Sequence, residues 1–248
     1  MNKNTVSVCM AAYNGEKVIK RQVLSILVQL SADDELIIVD DCSTDNTHTV
    51  INSFHDSRIK IFRNKHNLGV NKSFERALME AKGEIVFLSD QDDEWLPNKK
   101  SIILKYFEDN DWDILQHDAC VVDENGEIIN DSFFAWRKYC TPNVLVNFIR
   151  DTHLGCCMAF RRNVIKACLP ITDIPYHDKW IGIVAPILGY KEKYVNDVLI
   201  KYTRCNESTT SIYLKRRSLA VIVIERLKYV KEIIAFLIKR NNYVIRYK

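Results

Sequence analysis

The chain has 248 residues, of which 47% are hydrophobic and 27% charged, which is the composition of an ordinary globular protein. It is long enough for one large α/β domain or for two small ones. No stretch reaches the ~18 uninterrupted apolar residues that a membrane span requires, and the first residues do not resemble a secretory signal. We therefore expect a folded domain in the cytoplasm.

Charge and cysteine usage add two expectations. The net charge is +3, but residues 215–248 contain ten Lys or Arg and two Glu, so the first 214 residues carry −5. We expect no nucleic-acid partner for this acidic body. The eight cysteines form no C-x-x-C pair, and several lie in apolar runs, which is typical of buried free thiols in a reducing cytosol.

The first half of the chain alternates apolar runs with segments of helical spacing. Strands are predicted at residues 6–12, 36–39, 59–62 and 85–88. Helices are predicted over residues 16–30, 43–54 and 67–81, and from Pro97 onward. Short strands separated by longer helices are typical of βαβ units. The predicted fold class is therefore α/β, with a Rossmann-like, mostly parallel central sheet and helices on both faces.

The second half is less regular. It contains an apolar segment at 113–122, a turn at Asn125-Gly126, an aromatic stretch at 133–139, a helix at 144–150 and a strand at 155–160. No linker rich in Pro, Gly or Ser separates the two halves. We expect this mixed α+β half to pack onto the same sheet.

Acidic side chains follow two of the predicted strands. Asp40 and Asp41 end the second strand, and Asp90, Asp92 and Asp93 follow the fourth. Ligands of an open parallel sheet bind beyond the carboxyl ends of its strands, so both clusters are expected at one crevice. One such cluster also fits the start of a helix. Two of them favour a divalent cation, Mg²⁺ or Mn²⁺, that bridges the carboxylates to a diphosphate.

Glycine usage excludes two common phosphate-binding motifs. The chain has seven glycines, and none of them belongs to a G-x-G-x-x-G or G-x-x-x-x-G-K motif. A dinucleotide-binding Rossmann site and a P-loop are therefore excluded.

The order of the motifs carries a family resemblance. The chain reads VSVCMAAYNGEK, LIIVDDCSTDNT, NLGVNKSFERAL and EIVFLSDQDD, then GCCMAFRRNVI, HDKW and KYTRCNES. Over about residues 5–210 it resembles the family 2 inverting nucleotide-sugar glycosyltransferases of GT-A fold, most of all the bacterial rhamnosyltransferase and surface-polysaccharide branch. The resemblance implies a glycosyltransferase domain at 1–214, with a nucleotide-sugar half to about residue 118 and an acceptor half at 119–214. Residues 215–248 follow as a basic amphipathic helical tail.

The resemblance implies roles for individual residues. Asp178 in HDKW matches the catalytic base, and Asp92 with Asp90 matches the metal-binding D-x-D element. The residues implied to bind the nucleotide sugar are Ala12, Tyr13, Glu16, Asp40, Asp41, Asn71, Lys72, Asp90, Gln91 and Arg204. The residues implied to lie beside the acceptor or the donor sugar are Asp93, Cys156, His177 and Trp180.

The implied reaction is a direct displacement. Asp178 removes a proton from the acceptor hydroxyl, while Mn²⁺ or Mg²⁺ stabilises the departing nucleoside diphosphate. The implied donor is a UDP- or dTDP-linked hexose or deoxyhexose, rhamnose included. The implied acceptor is a bacterial surface glycan or its lipid-linked precursor.

Two positions depart from the family pattern. Phe74-Glu75 stands where many members have Arg-Asn, which leaves Lys72 and Arg76 as substitutes. Cys205 stands where the branch often has a His, which leaves Arg204 as a phosphate contact.

The terminal segment has apolar residues at three- and four-residue spacings from 220 to 238, interspersed with Arg and Lys. This pattern fits a helix lying on the inner face of the plasma membrane. It fits equally well a helix packed on its own domain or against a second subunit in a homodimer.

Two rival functions stay open at this stage. A nucleotidyltransferase has a related sheet, but its usual Gly-rich loop after the first strand is poorly matched by AAYNGEK. A non-catalytic protein that binds a sugar nucleotide on the same fold is the other rival, because Cys205 replaces the expected His.

Overall fold

The computed structural model of the chain describes residues 4–138, 141–150, 152–172, 176–204 and 219–246. The strands are β1 (Val6–Ala12), β2 (Glu35–Asp40), β3 (Ile59–Arg63), β4 (Ile85–Ser89), β5 (Glu94–Trp95), β6 (Ile114–Asp123), β7 (Ile128–Asn130), β8 (Met158–Arg161) and β9 (Glu192–Arg204). The helices are α1 (Ile19–Leu27), α2 (Thr47–Asn52), α3 (Val70–Glu80), α4 (Lys99–Asp109), α5 (Phe133–Arg137), α6 (Val144–Arg150), α7 (Arg162–Cys168), α8 (His177–Ile187) and α9 (Leu219–Arg246).

The described strands form one sheet in the order β3-β2-β1-β4-β8-β6-β9-β5, with β7 beside β6. The first four are parallel neighbours. β8 pairs antiparallel with both β4 and β6, and β9 runs parallel to β6. The predicted α/β class, with a parallel first half and a mixed second half on the same sheet, is confirmed.

Several element boundaries differ from those predicted. Helix α4 begins at Lys99 rather than at Pro97, because Asn98 adopts a left-handed conformation with φ of 67°. Helix α2 begins only at Thr47, whose backbone N–H donates to the Asp45 side chain in a local turn. The predicted strand at 155–160 opens with the 3₁₀ turn Gly155–Cys157, and β8 begins after it.

Alternate side chains of β1 enter two different hydrophobic layers, as the two-residue period of a strand requires. Val8 and Met10 pack in the layer that contains α1 and α4. Cys9 packs in the other layer, with Phe74 of α3 and Trp180 of α8. Both faces of the sheet are therefore buried beneath helices.

The cysteines fit the expectation of buried thiols. Cys9, Cys156, Cys157 and Cys168 are buried, and all six cysteines within the described ranges are free. Burial raises the pKa of the Cys168 thiol to about 12, so it stays protonated at neutral pH. Cys140 and Cys205 lie outside the described residues.

The terminal helix α9 packs against its own domain. Phe236 meets Trp180 edge to face, with ring centroids 5.1 Å apart. Tyr229 meets Phe148 of α6 in the same way at 6.3 Å, and Arg226 Nη2 donates to the Ile149 carbonyl at 2.9 Å. None of the helices in the described ranges has both the length and the hydropathy of a membrane span.

Trp180 is expected to be a large contributor to stability. It is completely buried, and its indole N–H donates to the Cys168 carbonyl at 2.8 Å. Trp180→Ala leaves a cavity between α8 and α9, so the free energy of unfolding in urea should fall by about 3–5 kcal/mol. Val28→Ala, at a position 81% exposed, is the control and should change it by less than about 0.5 kcal/mol. Equal losses for the two variants would contradict the core role of Trp180.

Candidate active site

A cavity of about 470 Å³ opens beyond the carboxyl ends of β1, β2 and β4. The starts of α3 and α8 and the end of β9 complete its wall. The predicted site residues on this wall are Ala12, Tyr13, Asp41, Asp90, Gln91, Asp92, His177, Asp178 and Arg204. Members of both acidic clusters therefore reach one crevice, as the strand pattern predicts.

The Gln91 side chain connects the turn after β4 to the turn after β1 by two hydrogen bonds. Its Oε1 accepts from the Tyr13 N–H at 3.0 Å, and its Nε2 donates to the Tyr13 carbonyl at 2.9 Å. A Cβ at Gly15 would overlap the Gln91 amide, so only glycine allows this close approach. The pair of bonds holds Tyr13 and the acidic turn on one edge of the cavity.

Asp41 orders the loop that leads into α3. Its carboxylate accepts from Asn64 Nδ2 at 2.7 Å and from the backbone N–H groups of Leu68 and Gly69 at 2.9 and 2.8 Å. Gly69 has φ of 84°, which a side chain would disfavour. Asp41 thus shapes the cavity wall that it also lines.

Asp40 and Glu16 are not on the cavity wall. Asp40 is completely buried, accepts from the Ser43 N–H at 2.9 Å and lies 3.2 Å from Arg63 Nε. Glu16 accepts from the Asn46 N–H at 2.9 Å, just before α2. Because both carboxylates are engaged in holding turns, the structure does not place them beside a nucleotide as the resemblance implies.

Helix α3 explains the departure at Phe74-Glu75. Phe74 packs flat against His177, with ring centroids 3.8 Å apart, and Glu75 accepts from the Ile171 N–H at 2.6 Å. Lys72 pairs with Glu75 at 3.2 Å, donates to the Ile171 carbonyl and is not among the residues that line the cavity. Asn71 is also off the wall, so neither predicted nucleotide contact of α3 is on the cavity surface.

The acidic turn after β4 has unusual electrostatics. Burial raises the pKa of Asp90 well above its usual range, and the charges of Asp93, Asp92 and Asp178 raise it further. Burial also raises the pKa of Asp92. Both side chains line the cavity, so a cation in the cavity would stabilise their ionised forms.

Asp93 lies beneath this turn rather than on the wall. Its Oδ1 accepts from the Thr203 N–H at 2.9 Å, and the Cys156 thiol lies beside the carboxylate. Burial raises the pKa of Asp93 to about 7. Lys99 lies nearby, donates to the Cys156 carbonyl at 2.8 Å, and has a pKa lowered to about 8 by burial.

The donor set fits a divalent cation held by carboxylates. The potential ligand atoms of Asp90, Asp93 and Cys156 lie within 4.8 Å of one another, a group that includes Asp93 rather than the predicted Asp92. Burial raises the pKa of the Cys156 thiol far above its usual range, and sulfur is a softer ligand than Mg²⁺ or Mn²⁺ prefers. The carboxylate oxygens that remain suit Mg²⁺ or Mn²⁺.

Asp178 sits in the first turn of α8, where the helix dipole favours a negative charge. Its Oδ2 accepts from the Gly155 N–H at 3.0 Å, and its Oδ1 accepts from the Lys179 N–H at 2.7 Å. A Cβ at Gly155 would lie 3.2 Å from His177 Nε2 and 3.5 Å from Asp178 Oδ2. The carboxylate is therefore held in one orientation on the cavity wall.

His177 lies beside this carboxylate and is kept neutral. It is 5% exposed, and burial lowers its pKa to about 3. Neither ring nitrogen has a hydrogen-bond partner among the described residues. The ring also lines the cavity, although both of its nitrogens are buried.

Sequence reasoning missed part of the wall. Arg204 lies on it as predicted, with its guanidinium 5.1 Å from the centre of the Trp136 ring, but Arg137 of α5 is a second guanidinium there. The other wall residues not predicted include Asn67, Val70, Ser73, Phe74, Phe133, His153, Leu154, Tyr176, Tyr202 and Thr203. The sequence of α5, Phe-Phe-Ala-Trp-Arg, could have indicated that this segment lies at the site, since aromatic and Arg side chains often bind ligands.

The profile of the family described as "Glycosyl transferase family 2" matches residues 7–169. This chain belongs to that family. A relative from Escherichia coli, "UDP-Glc:alpha-D-GlcNAc-diphosphoundecaprenol beta-1,3-glucosyltransferase WfgD", is 30% identical over 157 residues. The alignment covers 63% of this chain and 59% of the relative, so the chain spans less than two thirds of that protein's length.

Solved structures confirm the predicted GT-A fold of this family 2 chain. S. aureus TarS 1-349 in complex with UDP-GlcNAc has a TM-score of 0.67 at 21% identity, covering 89% of this chain and 66% of that one. Mannosyltransferase PcManGT from Pyrobaculum calidifontis, in complex with GDP-Man and Mn²⁺, has a TM-score of 0.62 at 18% identity. The match covers 96% of this chain and 65% of that one.

The burial of His177 predicts a specific acid sensitivity. The folded-state pKa of about 3 lies below the usual 6.5, so the unfolded chain binds the proton more tightly and stability is lost as pH falls below 6.5. From pH 7 to pH 5 this residue should lower the free energy of unfolding by about 2 kcal/mol. His177→Phe keeps a ring against Phe74. Between pH 7 and pH 5 its free energy of unfolding should therefore fall by about 2 kcal/mol less than that of the unsubstituted protein. Urea titrations at both pH values measure the difference.

The exposed His55 supplies the control for this measurement. His55→Gln should retain the full acid sensitivity, because an exposed ring is solvated in both states. If His177→Phe shows the same slope as His55→Gln, the assignment of the sensitivity to His177 is wrong.

Proposed function

We propose that this family 2 chain is an inverting transferase that moves a hexose or deoxyhexose from a nucleoside-diphosphate sugar to a hydroxyl of a bacterial surface glycan or its lipid-linked precursor. One observation carries the proposal. A single cavity contains Asp178, a carboxylate fixed for proton removal, together with the acidic turn at Asp90 and Asp92. These are the two chemical groups that a direct displacement at a sugar diphosphate requires.

The proposed donor is a UDP- or dTDP-sugar. Ala12, Tyr13 and Asp41 line the end of the cavity formed by β1 and β2, where the base and ribose would lie. The complex of TarS with UDP-GlcNAc supports a uridine donor for this fold. Rhamnose is one sugar among the hexoses and deoxyhexoses that the proposal includes.

A divalent metal, Mn²⁺ or Mg²⁺, is part of the proposal. Asp90 and Asp92 would hold it from the cavity wall, and Asp93, whose ligand atom lies within 4.8 Å of that of Asp90, is a further candidate ligand. When bound, the metal neutralises charge on the leaving nucleoside diphosphate. The Mn²⁺ in PcManGT supports this choice.

In the proposed mechanism, Asp178 accepts the proton of the acceptor hydroxyl as the oxygen attacks the anomeric carbon. The bonds from Gly155 and Lys179 orient this carboxylate, and the neutral His177 ring lies beside it without adding charge. Arg137 and Arg204 bring positive charge to the same cavity, where phosphate oxygens would lie. Inversion follows because the chain uses no covalent nucleophile.

The proposed acceptor is an oligosaccharide of surface-polysaccharide synthesis. The WfgD name contains a diphosphoundecaprenol-linked sugar as acceptor, which supports a lipid-linked acceptor here. The cytoplasmic location deduced from sequence stays a prediction.

Purified protein incubated with UDP-, dTDP- and GDP-sugars, Mn²⁺ and lipid-linked acceptors tests the whole proposal. Transfer with inversion at the anomeric carbon, read by proton NMR, supports it. Nucleotidyl transfer, detected as release of pyrophosphate, would indicate the rival enzyme class. Sugar-nucleotide binding without turnover across the panel would indicate the non-catalytic rival.

Asp178→Asn should lower kcat by about 10²–10⁴-fold, because the amide cannot accept the proton. Affinity for the nucleotide sugar, measured by calorimetry, should change little. Asp111→Asn is the control, since its side chain is 87% exposed and outside the cavity. Retained turnover in Asp178→Asn would remove this residue from the role of base.

Asp92→Ala should abolish the increase in nucleoside-diphosphate affinity that Mn²⁺ produces in the unsubstituted protein. The physical reason is that a carboxylate facing the cavity is lost from the metal's ligands. Calorimetric titration of UDP with and without Mn²⁺ measures the effect, and Asp33→Ala on the protein surface is the control. An unchanged Mn²⁺ dependence would count against Asp92 as a ligand.

A further inference from the structure

The exposed face of α9 carries a continuous apolar stripe. Its members, spaced three or four residues apart, are Val223, Leu227, Val230, Ile234 and Ile238. They are between 41% and 64% exposed, although the opposite face of the helix already packs on the domain. Residues at these spacings share one side of a helix, so the stripe is a surface and not a set of scattered side chains.

The stripe continues onto α6. Arg226 Nη2 donates to the Ile149 carbonyl at 2.9 Å, which places α6 beside α9. Leu145 and Ile149, one helical turn apart, are 74% and 63% exposed. We call the stripe together with Leu145 and Ile149 the α6–α9 surface. Two separate helices thus expose apolar side chains next to each other.

The charge around this surface favours one occupant. Lys228, Lys231 and Lys239 are exposed on α9, whereas Glu225 and Glu232, the acids of its described side chains, are half-buried. A symmetric dimer through α9 would bring two sets of like charges together. An anionic bilayer accepts apolar side chains below its headgroups and lysines at them.

Helix α9, which carries the exposed stripe, packs through its buried face next to the residue that follows Asp178. Lys179 Nζ is 4.8 Å from the centre of the Tyr229 ring of α9, and Lys179 directly follows Asp178. Helix α6 leads in the chain to His153 and Leu154, which line the cavity. A membrane beneath α6 and α9 would therefore be close to the elements that carry the base.

We propose that the α6–α9 surface docks this chain onto an anionic lipid bilayer, with the apolar stripe below the headgroups and the lysines among them. This extends the proposed function and rests on it in one respect, the delivery of a lipid-linked acceptor to Asp178. Lipid binding itself needs neither donor nor acceptor. The two proposals can therefore fail separately.

Co-sedimentation with vesicles of phosphatidylglycerol and phosphatidylethanolamine tests the docking. The unsubstituted protein should sediment with these vesicles and should bind phosphatidylcholine vesicles much less. Leu227→Asp/Ile234→Asp should lower the bound-to-free ratio at least about tenfold. Val28→Asp/Met79→Asp adds two equal charges at positions 81% and 70% exposed elsewhere and should bind normally. Thermal unfolding shows whether each variant is folded. If Leu227→Asp/Ile234→Asp is unfolded, Leu227→Ser/Ile234→Ser is used in its place.

A second variant separates charge from apolar contact. Lys228→Gln/Lys231→Gln/Lys239→Gln should weaken binding to the anionic vesicles and reduce its sensitivity to salt. Failure of the unsubstituted protein to bind would overturn the proposal. So would a dimer in light scattering that Leu227→Asp/Ile234→Asp dissociates, since the surface would then belong to a second copy. Sugar transfer to a water-soluble acceptor by Leu227→Asp/Ile234→Asp, which should not bind vesicles, would show that the transferase activity does not depend on membrane docking.

Discussion

A buried lysine beneath the acidic turn is the contact on which the site depends. Lys99 is 1% exposed, donates to the Cys156 carbonyl and lies 4.5 Å from the centre of the Trp95 ring. Its charge lowers the pKa of Asp90 and Asp93, against the effect of burial. Together with the Thr203 N–H on Asp93 and Arg21 beside Asp92, it offsets the mutual repulsion of the carboxylates. The lysine thereby connects α4, the 3₁₀ turn and the turn after β4 into one support.

The loops around the cavity are held by hydrogen bonds from side chains to the backbone, and not by helix or strand hydrogen bonds. Asp41 binds two backbone N–H groups ahead of α3, and Gln91 binds both backbone groups of Tyr13. Asp178 is held in the same way by Gly155. Backbone groups in turns need partners when they are buried, and these side chains supply them. The cavity is consequently shaped by polar residues that also face it.

The strand pattern and the two acidic clusters were predictable because periodicity and strand ends are local properties of the sequence. The difference between Asp40 and Asp41 was not, since neighbouring residues point to opposite faces and only the fold decides which one reaches the cavity. The burial of Trp180 and Asp93 could not be predicted for a related reason. Each lies one layer behind the wall, and depth depends on distant contacts such as Phe236 with Trp180 and Thr203 with Asp93. Arg137 lies on a short helix with little periodicity to identify it.

The stack of Phe74 on His177 connects α3, beside the cavity, to α8, which bears Asp178. With both rings uncharged, its attraction arises from dispersion and the exclusion of water, neither of which is screened by dissolved ions. Contacts that rely on exposed charges weaken as ionic strength rises. The spacing between α3 and α8 is therefore held by a contact that dissolved ions do not weaken, whereas the charges of the exposed lysines on α9 are screened by them. Within one domain, the geometry around Asp178 and the charged surface of α9 therefore differ in their sensitivity to salt.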